Sequence, residues 1–343
     1  MQNRAFALYG KEDLRPLSRE LSQLEDGGML IRVKACGVCG SDMRQYFHGP
    51  SPRYVLPTVL GHEIVGTVDD VGPSVEDFTA GDVVAVAPVI PCMNCAACRR
   101  GQDNLCEREQ VIGVNVPGGM AEYIQLPARM VDAGGVAKVP PGVTWEAAAL
   151  TEVLACCWHG LRQVRPRVGD DVLILGEGPI GATFIQLLRL MGAARITVTG
   201  LNSYRLALAG EFGADELLDV SEVDLRKYAD QMGYSPDLAI VAAPSAEASI
   251  IALDIIRPGG GLLLFSGYPH GTNATLDLYR FHYAEKHIHG SIDATIADFQ
   301  YAMKLQPQLK MARLITDRFP LDETPKAFQA GRDPKRLKVL IEP

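Results

Sequence analysis

Four cysteines fall within fifteen residues, Cys92-x-x-Cys95-x-x-Cys98 and then Cys106. Thiolates at that spacing can converge on one tetrahedral ion, and zinc is the ion that most often takes four of them. Such a site is closed to substrate, and its work is to tie down a lobe poor in other structure. An iron–sulfur cluster is the rival, because Cys-x-x-Cys-x-x-Cys also opens ferredoxin motifs. The last spacing is longer than theirs and no proline follows Cys106, so structural zinc is the expectation. A second, dispersed set consists of Cys39, His62 and Glu152, with Glu63 beside His62. One thiolate, one imidazole and one carboxylate leave zinc formally neutral, with an open position for water or an alcohol. Singly, a cysteine in a β domain is packing and a histidine is a satisfied polar group; only the ensemble points to chemistry.

A third motif, Gly176-x-Gly178-x-x-Gly181, closes the apolar run Val172-Leu173-Ile174-Leu175 and opens a helical pattern. Its first glycine permits a tight turn, the second lets a pyrophosphate approach the backbone, and the third lets helix and strand pack closely. Pro179 and Ile180 open the helix whose N–H groups face the phosphates. The second strand then ends Thr199-Gly200-Leu201-Asn202-Ser203-Tyr204-Arg205, without the acid that usually binds the ribose 2′-hydroxyl of NAD. Gly200 removes a carboxylate that would repel a 2′-phosphate, and Asn202, Ser203 and Arg205 could bind one. The balance favours NADP, with NAD held by backbone as the alternative. Ser266, just beyond the strand candidate 262–265, completes the expected cofactor contacts.

The elements that must position these groups come in two textures. Over the first 150 or so residues, short strands are separated by Gly and Pro. Met29, Ile31, Val33 and Ala35 alternate with Leu30, Arg32 and Lys34, the period of a half-buried strand. Similar runs at 63–71, 83–86 and 121–126 suggest a small barrel-like β domain. After Pro140-Pro141-Gly142, strand candidates at 172–175, 196–199, 238–242 and 262–265 alternate with helical patterns, which predicts a doubly wound parallel sheet. The expected domains are 1–154 with 291–343, the tail returning through Lys338-Val339-Leu340-Ile341, and 155–290.

Composition bounds the function classes. The chain has 343 residues, 47% hydrophobic and 22% charged, long enough for two cores. A net charge of −8 without a basic run argues against nucleic acid and anionic membrane as partners. No apolar stretch reaches the roughly 18 residues of a membrane span, and the opening residues lack a signal peptide's apolar core, so a soluble cytoplasmic chain is expected. Eight cysteines are too sparse for a disulfide framework, and Cys156 and Cys157, in an apolar helical stretch, are expected to be packing residues.

Taken in order, Gly37-Val38-Cys39-Gly40-Ser41-Asp42, Gly61-His62-Glu63, the four-cysteine lobe and the glycine motif resemble the zinc-dependent medium-chain dehydrogenases over essentially the full chain. Within that family the chain is similar to the sorbitol (polyol) and threonine dehydrogenase branch. The resemblance implies an α/β protein with an N-terminal GroES-like β-barrel catalytic domain, a Rossmann domain, a cleft site between them, and a homodimer or homotetramer. It makes Cys39, His62 and Glu152 catalytic-zinc ligands, Glu63 an alternative ligand or a group behind them, and Arg205 a cofactor contact. Three positions depart from the family pattern: Gly200 replaces its aspartate, Arg44 replaces a relay histidine, and Val153 replaces a proline after the glutamate ligand.

The implied reaction is reversible oxidation of a secondary alcohol (polyol, cyclitol or sugar-derived) to its ketone, with zinc as Lewis acid and the nicotinamide as hydride acceptor. Ser41 resembles the first hydroxyl of a proton relay; its bland reading is a turn residue bonding its own backbone. Arg44, His48 and Arg53 lie near the expected cleft entrance, where arginine could clamp an anion, although solvated surface is the plainer account. His282-Tyr283-Ala284-Glu285 is similar to a segment of sugar-alcohol relatives, and His159, His270, His287 and His289 read as structural. Two rivals stand: a zinc-independent NADPH reductase of the same superfamily, and a catalytically silent nucleotide-binding protein.

Overall fold

The alternation at 29–35 forms strand Met29–Gly37, with Met29, Ile31, Val33 and Ala35 buried and Arg32 and Lys34 exposed. Each large apolar side chain on the buried face contributes about 1.5–3 kcal/mol as an upper estimate. This strand is the hub of a seven-stranded sheet. Along it run Val136–Lys138, Val83–Val86, Glu63–Val71, Met29–Gly37, Lys338–Glu342 and Ile315–Pro320, with Tyr123–Leu126 also paired to the hub. A smaller sheet holds Asp13–Glu20, Gln2–Gly10 and Thr58–Val59. The computed structural model describes residues 1–343, which divide into two units, Met1–Cys156 with Asp293–Pro343, and Cys157–Ile292.

Register in the first unit decides what meets at the end of the hub strand. Gly37 lies opposite Glu63 on one side and Leu340 on the other, and Val38 N–H donates to Val339 O at 2.9 Å. The chain then turns at Cys39 into helix Gly40–His48. Three segments remote in sequence therefore converge there: 37–42, 62–63 and the start of Lys338–Glu342. The candidate strand 121–126 is shorter than expected, beginning at Tyr123, with Ala121 making an isolated bridge to Ala5.

The second unit is a six-stranded parallel sheet in the spatial order Glu216–Asp219, Arg195–Gly200, Asp171–Leu175, Leu238–Val241, Gly261–Leu264 and His287–Gly290. Numbered within the unit this is 3-2-1-4-5-6, the doubly wound order whose switch point faces the end of the first strand. Val172, Leu173 and Ile174 are fully buried, as the unbroken apolar run requires. Helix Pro179–Met191 follows at once, with Phe184, Leu187 and Leu188 buried and a left-handed Gly192 closing it. The edge strands Glu216–Asp219 and His287–Gly290 were not anticipated. Each is four residues long, paired on one side only, and largely free of buried apolar positions. No helix is long and apolar enough to cross a membrane.

Candidate functional site

The four-cysteine lobe has almost no regular structure: helix Ala96–Arg99, one 3-10 turn at Asp103–Leu105, and the two-residue strands Val89–Ile90 and Gln110–Val111. Its sulfurs nevertheless converge. Cys95 and Cys98 Sγ are 3.5 Å apart, and the Cys92–Cys98 and Cys95–Cys106 pairs are each 4.0 Å. Sulfurs about 2.3 Å from one zinc in a tetrahedron stand about 3.8 Å apart, so these separations fit a single ion. A multi-iron cluster spreads its thiolates over several metals and needs them farther apart. Backbone N–H groups already favour part of the charge. The Asn94 amide lowers Cys92 to about 6, and the Cys98 amide lowers Cys95, while burial pushes Cys98 up to about 12 and raises Cys106. Arg108 Nη2 donates to Cys92 Sγ at 3.5 Å, a further positive group beside the thiolates.

At the end of the hub strand, ligand atoms of Cys39, His62 and Glu63 all lie within 4.8 Å of one another. Cys39 is the residue before helix Gly40–His48, and its N–H is held by Asp42 Oδ2 at 3.0 Å. Ser41 Oγ stands 3.5 Å from His62 Nε2. Asp42 Oδ1 is 3.6 Å from His62 Nδ1, longer than a hydrogen bond. Glu63 Oε1 accepts from Lys338 Nζ in a pair with essentially no solvent contact. Gly37 makes room for that carboxylate, since a Cβ there would sit 2.0 Å from Glu63 Oε2.

The electrostatics of this cluster are strained in one direction. Burial pushes the Asp42 and Glu152 carboxyls up. Burial opposes the charged form of His62, but Asp42, Cys39 and Glu152 outweigh it and raise the ring well above its usual range. Lys338 is likewise opposed by burial and raised by Glu63 and Cys39. His62 Nδ1, Glu63 Oε2 and Asp42 Oδ1 are buried without any hydrogen-bond partner. Leaving such atoms unpaired costs about 1–3 kcal/mol each, so a donor set of thiolate, imidazole and carboxylate with orphaned atoms fits a cation.

Glu152 stands outside the 4.8 Å set. It is buried in the first turn of helix Thr151–Val164, and its Oε1 accepts the Cys156 thiol at 3.1 Å. Cys156 is thus a partner of that carboxylate rather than only a packing residue, whereas Cys157 is fully buried as expected. Arg53 is committed to Glu109 at 2.6 Å, and Arg44 and His48 are exposed on helix Gly40–His48. Lys338 is the functional group that sequence reading missed; a lysine inside an otherwise apolar terminal strand was the available signal.

In the second unit, Gly176 adopts φ +127°, and a Cβ on Gly181 would sit 2.1 Å from Gly176 O. Gly178, the residue before helix Pro179–Met191, has nothing within 4 Å of where a Cβ would be. Close packing at the third glycine and open space at the second are what a bound pyrophosphate requires. Asn202 Oδ1 accepts from Arg205 N–H at 2.9 Å and so caps helix Ser203–Phe212. Ser203 and Arg205 lie in the first turn of that helix, and Ser266 N–H donates to Val241 O at 3.2 Å at the sheet's carboxyl end. Glu177, which sequence reading passed over, lies against Gly200 and accepts from the N–H groups of Leu201 at 3.3 Å and Asn202 at 3.2 Å.

Known proteins share both units. Residues 25–141 match the alcohol dehydrogenase GroES-like domain and residues 179–307 match the zinc-binding dehydrogenase domain. A sorbitol dehydrogenase of Bombyx mori is 32% identical, with 99% of this chain and 98% of that protein aligned. An L-threonine 3-dehydrogenase of Anaeromyxobacter sp. is 32% identical over 91% of this chain and 90% of its own. A solved structure described as a zinc-binding dehydrogenase, from Sinorhizobium meliloti and bound to NADP, superposes with a TM-score of 0.93 at 28% identity, covering 100% of both chains.

Proposed function

Because this chain belongs to the zinc-dependent medium-chain dehydrogenase family, on its polyol dehydrogenase-like branch, we propose that it interconverts a polyol or sugar-derived secondary alcohol and its ketone. The observation that carries this reading is the meeting of half-buried Cys39 with buried His62 and Glu63, where His62 Nδ1 is unpartnered. Zinc supplies Lewis-acid polarisation of the alcohol oxygen, and the nicotinamide dinucleotide accepts the hydride.

Charge balance supports one choice of ligands. Glu63 is already neutralised by Lys338, whereas Glu152 is buried with a thiol as its donor and no ion pair. A dication is therefore best matched by Cys39, His62 and Glu152, with Glu63 held behind them by Lys338. Ser41, half-buried and within reach of His62, is the first hydroxyl to take the substrate proton outward. Arg53 pairs with Glu109, which supports the plainer account of it as a surface charge over that of an anion clamp. Arg44 is exposed on helix Gly40–His48. The same reading has the chain acting as a homodimer or homotetramer in the cytoplasm.

The rival without catalytic zinc is disfavoured because it leaves the orphaned His62 Nδ1 and the buried Glu152 carboxylate, which has no ion pair, without a cation to meet them. The test is nicotinamide reduction across polyols, cyclitols and their phosphates, with NAD and NADP, before and after chelation. Chelator-sensitive turnover is expected. Turnover unaffected by removal of all zinc would overturn the reading in favour of the reductase, and silence with two zincs bound per chain would favour the binding protein.

A further inference from the structure

The end of strand Arg195–Gly200 lacks an acidic side chain, yet the place beside it is not empty. An ideal Cβ built on Gly200 would lie 2.5 Å from both the carboxyl carbon and Oε2 of Glu177. Glu177 comes from the middle of the glycine-rich turn, Gly176-Glu177-Gly178, and folds back over the second strand. Its Oε1 accepts both the Leu201 and Asn202 N–H groups, which fixes the carboxylate over the strand end. Its Oε2 accepts nothing from the protein, and the residue is half-exposed. A side chain at 200 and the carboxylate of Glu177 compete for one volume, so the glycine is the condition for this arrangement.

We infer that Glu177 reads the adenosine ribose of the cofactor in place of the missing residue-200 side chain, and selects the dinucleotide with a free 2′-hydroxyl over its 2′-phosphorylated form. The inference rests on the proposed dehydrogenase function and runs against the lean to NADP that the bare Gly200 suggests. A carboxylate with a free oxygen is an acceptor for ribose hydroxyls and a fixed negative charge against a phosphate. The groups that could offset it are few: Asn202 Oδ1 is already used as a helix cap, leaving Ser203 and Arg205 in the turn that follows. Glu177 is a specificity residue, belongs to a different unit of the chain from the metal ligands, and has no part in hydride transfer.

The test is direct binding of NADH and NADPH to the metal-loaded protein, followed by cofactor fluorescence. Glu177→Gln is the informative variant, because the amide oxygen can still accept the two backbone N–H groups and only the charge is lost. The wild type is expected to bind NADH at least about tenfold more tightly than NADPH. Glu177→Gln should move that ratio toward NADPH by on the order of 10- to 100-fold, the size of one charged hydrogen bond lost and one repulsion removed. Gly200→Asp placed on Glu177→Ala should restore the preference for NADH, since the two positions share one volume. A wild type that prefers NADPH, or a ratio unmoved by Glu177→Gln while both dinucleotides bind, overturns this inference and leaves the dehydrogenase reading standing. Failure of the wild type to bind either dinucleotide overturns both.

Discussion

The two cysteine-bearing sites differ in every respect that decides whether a metal holds structure or does chemistry. In the lobe, four like ligands come from fifteen consecutive residues, three of their sulfur pairs stand 3.5–4.0 Å apart, and all four sulfurs lie within 4.8 Å of one another. The buried cluster around them is small, Cys95, Ala97 and Cys106, so an ion held by the four thiolates would complete the core of the lobe. At the end of the hub strand the proposed ligands are unlike, come from the residue before one helix, the residue before one strand and the first turn of a second helix, and sit among buried charges. Asp42, Glu63, Glu152 and Lys338 are all at least nine-tenths buried there. A uniform closed set stabilises and nothing more, whereas a mixed set with orphaned atoms and an adjacent hydroxyl is arranged to act on a substrate.

That contrast can be broken at either site. The largest effect on stability is expected from Cys95→Ser. It should lose one zinc per chain and lower the thermal midpoint by about 10 °C or more, as removal of a structural metal costs several kcal/mol. Mass spectrometry under native conditions and calorimetry read both. A variant that keeps its zinc and its midpoint would show that the lobe folds without the ion.

Next in size is Lys338→Met, which leaves Glu63 as a buried unpaired carboxylate and should cost about 3–5 kcal/mol by denaturant unfolding. Adding Glu63→Gln should return much of that loss, because the uncompensated charge is gone. A double variant no more stable than Lys338→Met alone would mean that the lysine stabilises through packing rather than through the pair.

The smallest effect concerns chemistry alone. Ser41→Ala should slow turnover about 100-fold, in the range of a lost acid–base group, with zinc content and midpoint unchanged. Unchanged turnover would reduce Ser41 to a turn residue at the head of its helix.

What could be read in advance follows the same division. The lobe and the glycine motif were legible because each is local: ligand spacing and glycine spacing encode the geometry within a few residues. The hub strand was legible because one face is buried and the other wet, so Met29, Ile31 and Val33 alternate with polar neighbours. The pair Lys338–Glu63 was not, because it joins residues 275 apart and depends on the register of two strands against Met29–Gly37. Glu177 was hidden for another reason. Its position in the motif tolerates any residue, and only the fold shows its side chain lying over Gly200. The edge strands Glu216–Asp219 and His287–Gly290 escaped because half-exposed four-residue strands carry little hydrophobic period.

The central claim is that one chain holds two zincs for two purposes, and the zinc count of the wild type beside His62→Ala tests it most directly. The wild type should hold two zincs per chain. His62→Ala should hold one, keep nearly its full thermal midpoint, and lose turnover by on the order of 10³-fold, the loss of several kcal/mol of transition-state stabilisation. A His62→Ala protein with an unchanged zinc count, or one with full turnover after losing an ion, would contradict the account.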